Sequence, residues 1–193
     1  MSRVFKLCLL HQRSTINSMK FCLTTILILC VVTLTKGQGK TSLGAEVGFP
    51  SGSGTDGVGT GFGGSLRYEA KAAKNLNWLM SAGYLHFPAS LSSGGATLTG
   101  SFSFVPIAAG VKYYPSGNFN GFYFGTDVGV TIVSGKVTVS YGGYAGSSSA
   151  SENKFAVSPG VGYHFSGFDV TFRYHVLSDA NYFGIRAAIV LHK

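Results

Sequence analysis

Charge is scarce in this chain. Asp, Glu, Lys and Arg together make up 11% of its 193 residues, against about 25% in an ordinary water-soluble domain. A hydrated surface is normally built from those four residues, so much of this chain faces something other than water. Cysteine is confined to the first 30 positions, as Cys8, Cys22 and Cys30. From residue 38 onward this excludes a disulfide, a thiolate metal site and a cysteine nucleophile. No apolar run beyond residue 38 approaches the roughly 20 residues of a membrane-spanning helix, and no segment sustains a 3.6-residue period.

Acidic residues are missing from the opening segment altogether. Arg3, Lys6, Arg13, Lys20 and Lys36 precede Gln38, and from Gln38 the chain holds 10 Lys plus Arg against 7 Asp plus Glu. The formal net charge of +8 therefore falls to +3 there. No basic patch interleaved with aromatics remains, so nucleic acid is not an expected partner. Met19-Lys20 followed by the apolar Phe21 to Leu34, with small residues at Thr35 and Gly37, has the layout of a signal peptide cleaved before Gln38. Cys30 follows the bulky Leu29, which does not suit a lipidation site. The expected organisation is a signal-peptide region over 1–37, with translation starting at Met1 or Met19, and one domain over 38–193.

What is present is alternation. Apolar and small or polar residues alternate in segments of about ten, separated by Gly, Ser, Asn and Pro clusters. These predict eight strands over 41–49, 59–70, 76–87, 102–114, 120–133, 154–165, 167–178 and 182–191. Short turns at 71–75, 115–119 and Ser166-Gly167 alternate with longer connections at 50–58, 88–101, 134–153 and 179–181. An even strand number with short turns at one end and long loops at the other is the plan of an antiparallel up-and-down transmembrane β-barrel. The alternative is a soluble barrel of the lipocalin kind, with apolar residues inside and a wet, charged exterior.

The charges favour the first plan. In 168–177, Phe168, Val170, Phe172, Tyr174 and Val176 form one row, and Asp169, Thr171, Arg173 and His175 the other. Glu46, Arg67, Glu69, Lys112, Asp127, Asp169, Arg173 and Arg186 each fall on the less apolar row of their strand, four acids and four bases on one shared face. A bilayer outside requires this, because Arg or Lys facing lipid at mid-depth costs about 2–4 kcal/mol. The eight are expected to form a lumen network in which Glu46, Asp127 and Asp169 face Arg67, Arg173 and Arg186. Small residues on the same rows, among them Gly44, Gly48, Gly63, Gly125 and Gly129, leave room in a narrow lumen. Trp78, Tyr68, Tyr84, Tyr113, Tyr114 and Tyr163 read as anchors at the membrane interfaces.

Leu43-Gly44-Ala45-Glu46-Val47-Gly48 as an opening strand, the aromatic-rich hairpins and the closing Phe183-Gly184-Ile185-Arg186-Ala187-Ala188-Ile189 carry a resemblance. From about Lys40 to Lys193 the chain resembles the small outer-membrane β-barrel proteins of the OmpA/OmpX type. At its end Leu191-His192-Lys193 stands where that family usually has a terminal aromatic. The resemblance implies a place in the outer membrane of a Gram-negative bacterium, with membrane lipid, the barrel-insertion machinery and periplasmic chaperones as partners, and a monomer.

Function classes follow from the loops and the lumen. The leading expectation is a barrel presenting its loops for a structural, adhesion or interaction role. A small pore is the second, disfavoured because eight strands enclose little more than their own side chains. An enzyme acting on lipid A is the third. His86, His175, Ser90, Ser178 and Asp179 supply a base, a nucleophile and an orienting acid in kind, but their spacing matches no motif, so no catalytic activity is expected. His175 is expected to bond Asp169 or Arg173, and His86 to sit at the rim. His164 and His192 are too scattered for a metal site, and no cofactor is expected. The Gly-rich 52–64 lacks the strand–loop–helix setting and Lys-Ser/Thr pair of a phosphate loop.

Overall fold

A computed structural model describes residues 39–52, 55–93, 96–117, 119–141, 144–178 and 180–191. The expected signal peptide, with its three cysteines, lies outside them, as do Asp179 and His192. The described residues form β1 (Lys40–Ser51), β2 (Gly61–Lys71), β3 (Leu76–Ser93), β4 (Ala96–Tyr113), β5 (Gly121–Tyr141), β6 (Tyr144–Phe165), β7 (Phe168–Leu177) and β8 (Asn181–Leu191). Each strand pairs antiparallel with the next, and β8 pairs with β1 to close the barrel. Closure removes the sheet edges, which a membrane-spanning sheet cannot leave unpaired in hydrocarbon.

The register sets the barrel's shape. Lys40 lies opposite Glu69, then Leu79, Gly110, Asp127 and Ser158 follow in turn. The path continues through His175 and Tyr182 back to Pro50. One circuit thus moves from residue 40 to residue 50 of β1, a stagger of ten. At about 3.3 Å per residue and about 4.8 Å between strands, this tilts the strands by about 40° and gives a backbone radius of about 8 Å. A cylinder that narrow is filled by side chains. The tight β6–β7 turn is Ser166-Gly167, both at positive φ (29° and 96°), as a two-residue hairpin of type I′ requires.

The outward rows are apolar over one belt. On β5 they run through Phe122, Phe124, Val128, Val130 and Ile132; on β6 through Phe155, Val161, Tyr163 and Phe165. Ten residues of tilted strand, from Phe155 to Phe165, span about 25 Å along the barrel axis, the height of a bilayer's apolar band. Aromatics ring both ends of the belt. Tyr68, Trp78, Tyr113, Phe122, Tyr163, Phe165 and Phe168 mark the short-turn end, and Phe49, Phe62, Tyr84, Phe155, Tyr174 and Phe183 the other.

Two of the expected long loops are strand. Most of 88–101 and 134–153 continues β3, β4, β5 and β6 as a four-stranded sheet that rises beyond the belt on one side of the barrel. Its Ser, Thr and Gly content resembles that of a loop, but the β-branched alternation Lys136-Val137-Thr138-Val139 persists and suits a pleated sheet. The polarity reverses at this level. Below it the outside is apolar; above it the outward row is Thr97, Thr99, Ser101 and Ser103 on β4 and Ser134, Lys136, Thr138 and Ser140 on β5. The apolar residues there, Leu98, Phe102, Val133, Val137 and Val139, occupy the inward row. Eight-residue extensions such as Ser134–Tyr141 rise about 20 Å. On β6 the stretch before Ala156 pairs only with β5 among the described residues, leaving an open edge.

Candidate functional site

The lumen has three levels, and the deepest is polar. Glu46, Arg67, Glu69, Lys112, Asp127, Asp169, Arg173 and Arg186 all point inward, and seven of the eight are buried, Glu69 being partly so. Asp169 is the hub. Its carboxylate accepts a hydrogen bond from Lys112 Nζ at 2.7 Å, from Thr171 at 2.7 Å and from Tyr123 at 3.0 Å. Arg186 and Arg67 approach the same carboxylate at 3.5 and 3.7 Å. Lys112 also reaches Glu69 at 2.8 Å, and Glu69 accepts from Asn77 at 2.5 Å and from Tyr114 at 3.0 Å. Arg186 donates further to Ser65 Oγ at 2.8 Å and Ser42 Oγ at 3.0 Å. Charges so far from water persist only when paired and hydrogen-bonded.

The pairing departs from the expected one-to-one scheme. Arg173 bonds Asp127, while Arg67, Lys112 and Arg186 converge on Asp169. Glu46 has His175 as its nearest ionisable partner, at 3.6 Å. His175 was expected to bond Asp169 or Arg173; instead its Nδ1 pairs with Ser158 Oγ at 2.8 Å, and its ring stacks on Tyr182 at 4.2 Å. Neighbouring strands are set obliquely by the stagger, so residues two apart in one strand meet different partners across the lumen. Tyr114 is not an interface anchor. It is fully buried, closing the turn end of the lumen against Tyr123 and Phe119. A polar cavity of about 30 Å³ lies among Glu46, Ser65, Arg67, Asp127 and His175, room for about two water molecules.

Glycines on the inward rows make space for these long side chains. Gly44 lies against the Arg186 guanidinium, Gly160 against Arg173, and Gly162 against the Tyr123 ring. A methyl group at 162 would overlap that ring and push its hydroxyl off Asp169. Gly162→Ala is therefore expected to cost about 1–3 kcal/mol, read as a shift in the urea midpoint of the lipid-embedded barrel.

Above the charges the lumen becomes apolar, which the sequence reading did not anticipate. Leu85, Phe87, Phe104, Ala156, Leu177 and Tyr182 pack into one buried cluster. Phe87, Phe104 and Tyr182 form a three-ring group with centroids 4.9, 5.5 and 5.8 Å apart. Gly48 and Gly61 both face the Phe87 ring. The signal was available: Leu85, Phe87 and Phe104 share the inward parity of Arg67 and Lys112, but both rows of 76–87 carry apolar residues. At the third level, the mouth, a cavity of about 320 Å³ sits on this plug. Val58, Phe102 and Val133 wall it, and Thr55, Glu152, Lys154 and Asn181 bring polar groups to it.

The residues considered for catalysis are dispersed. His86 is exposed on the outward row of β3, whereas His175 is buried in the lumen. Ser90 and Ser178 are exposed. His164 is buried at the turn end, where its Nδ1–H donates to the Phe119 carbonyl. No group of three or more potential metal ligands occurs among the described residues.

No protein-family model matches the chain, and no curated protein matches it in sequence. Solved structures do. Ail, the attachment invasion locus protein of Yersinia pestis, superposes with a TM-score of 0.55 at 17% identity, over 80% of this chain and 97% of that one. Ail in complex with the heparin analogue sucrose octasulfate gives 0.54 at 17% identity and the same coverage. Neisserial surface protein A gives 0.50 at 13% identity, over 81% of this chain and 97% of that one. At such identities the likeness is one of fold, and that fold is the small eight-stranded outer-membrane barrel.

Proposed function

We propose that this chain is an integral outer-membrane protein, exported by a cleaved leader and inserted as a monomer. In this reading it presents the β3–β6 sheet outside the cell for adhesion or another interaction. The observation that carries the reading is the reversal of polarity along β4 and β5. An apolar belt gives way to a Ser/Thr-faced sheet rising above it, and the β6 edge, unpaired among the described residues, offers strand addition to a partner. The likeness to Ail, an attachment protein by name, is in keeping with this role. A pore is disfavoured by the ion-pair network and the aromatic plug that fill the lumen. Lipid A chemistry is disfavoured because His86 and His175 face opposite sides of the wall.

Labelling of intact cells with a membrane-impermeant maleimide tests the orientation. Ser149→Cys, on the projecting sheet, is expected to label, and Lys74→Cys, in a short turn, only after lysis. Labelling of Lys74→Cys in intact cells contradicts the proposal. Cells carrying a variant with 89–100 and 135–150 trimmed to tight turns are expected to keep a folded barrel and lose adhesion to protein- or polysaccharide-coated surfaces. Equal adhesion by both removes the interaction role from the sheet.

A further inference from the structure

The cavity at the barrel mouth has the features of a small-molecule site, and we propose that it binds a small neutral aromatic molecule: a flat ring body bearing one hydrogen-bond acceptor. Its volume of about 320 Å³ falls at the lower end of the range for ligand pockets, which run from about 300 to 1,000 Å³. Phe87, Phe104 and Tyr182 form its floor, their rings already tilted or edge-on to one another, an arrangement that favours a further ring over an aliphatic chain. Val58, Phe102 and Val133 close the sides. Asn181 supplies the polar contact at the margin. Its amide oxygen accepts the Leu177 N–H at 3.0 Å, so its two N–H donors are the part left for other partners.

Two further observations point to a ligand without charge. Among the described residues, the formal charges lining the cavity are those of Glu152 and Lys154. They are of opposite sign and pair with each other at 3.5 Å, so they add no net charge to offset an ion's loss of water. The approach to the cavity is apolar as well. Higher on the inward face of the sheet, Leu98 lies between Leu91 of β3 and Val139 of β5, and Leu91 and Val139 are each 45% exposed. This strip leads down to Phe102 and Val133 at the cavity wall, and contiguous apolar surface left in water marks ligand grooves. An apolar approach, an aromatic floor and one amide donor together suit a neutral ring with a carbonyl or hydroxyl oxygen. Binding at this site is independent of which partner meets the outer face of the sheet.

The test uses the chain in phosphatidylcholine nanodiscs with 2-naphthamide as probe, by calorimetry and saturation-transfer NMR, and with empty nanodiscs as control. One saturable site is expected. Val133→Trp and Ala150→Phe, two independent ways of filling the cavity, are each expected to weaken it by about tenfold or more, with folding checked by heat-modifiable gel mobility. The saturated analogue decahydro-2-naphthamide is expected to bind about fivefold more weakly, in line with loss of ring–ring contacts. The 2-naphthoate anion and the 2-naphthylmethylammonium cation are each expected to bind about tenfold more weakly, since an ion gives up its water to enter an apolar cavity. Absence of a saturable site, binding reproduced by empty discs, or binding undiminished in both filled variants overturns the site. A saturated analogue that binds as tightly as naphthamide overturns the preference for an aromatic ligand. Either ion binding as tightly as naphthamide overturns the preference for a neutral one.

Discussion

Asp169→Asn is expected to destabilise the barrel by about 3–5 kcal/mol, the scale for breaking a buried ion pair from one side. The substitution keeps the shape of the side chain, so no cavity forms and the loss is electrostatic. Asp169 is 2% exposed, and it is the anion on which Lys112, Arg186 and Arg67 converge at 2.7, 3.5 and 3.7 Å. Without it three cations face one another across a lumen about 8 Å in radius, with Glu69 left beside Lys112 alone. Glu46→Gln should cost less, about 1–3 kcal/mol, because among the described residues its close ionisable partner is His175, at 3.6 Å, and no cation converges on it as three do on Asp169. Urea unfolding in lipid vesicles, followed by the fluorescence of Trp78, measures both. Adding Arg67→Met to Asp169→Asn should recover part of the loss, since it removes a cation whose carboxylate partner was Asp169, at 3.7 Å, whereas Lys112 keeps Glu69 at 2.8 Å. An Asp169→Asn midpoint equal to that of the parent protein contradicts a dry, paired network.

Phe172→Arg is the second large effect, expected at about 2–4 kcal/mol. Phe172 is 52% exposed on the outward row, paired with Val161 and Ile185 near the middle of the belt. A guanidinium there must enter hydrocarbon or thin the bilayer around itself. Thr138→Arg, also on an outward row but above the polarity reversal, is expected to change stability by less than about 0.5 kcal/mol, as surface substitutions usually do. The contrast between the two tests where the membrane ends. Equal small costs at 138 and 172 favour a barrel whose whole exterior is wet.

Much of the fold was legible because the strand period is two and charge is rare. Once Asp169, Arg173 and Arg186 were assigned to one row, the inside of their strands was determined, and the remaining charges followed by parity. Three features were not legible, each for a physical reason. Residues 134–153 resembled a loop because a strand in water on its outer face uses Ser and Thr there, as a loop does. The plug at Leu85, Phe87 and Phe104 was masked because an apolar row facing lipid and an apolar row facing the lumen are alike in sequence. The convergence on Asp169 depended on the stagger of ten, a property of eight registers together, which no single strand contains. Tyr114 shares the parity of Lys112 and is buried as that parity dictates; it was misplaced because a tyrosine beside a turn has the composition of an interface anchor.

The most direct measurement is a cysteine scan of β5 from Phe122 to Ser140, spin-labelled in lipid and read by oxygen and by a water-soluble nickel reagent. Oxygen accessibility is expected to peak at 122, 124, 128, 130 and 132 with a period of two and to fall at the intervening Tyr123, Asp127 and Thr131. From 134 onward the even positions are expected to become accessible to nickel instead. Uniform oxygen accessibility along the strand, or nickel accessibility at the even positions from 122 to 132, contradicts a lipid-facing belt and the barrel orientation built on it.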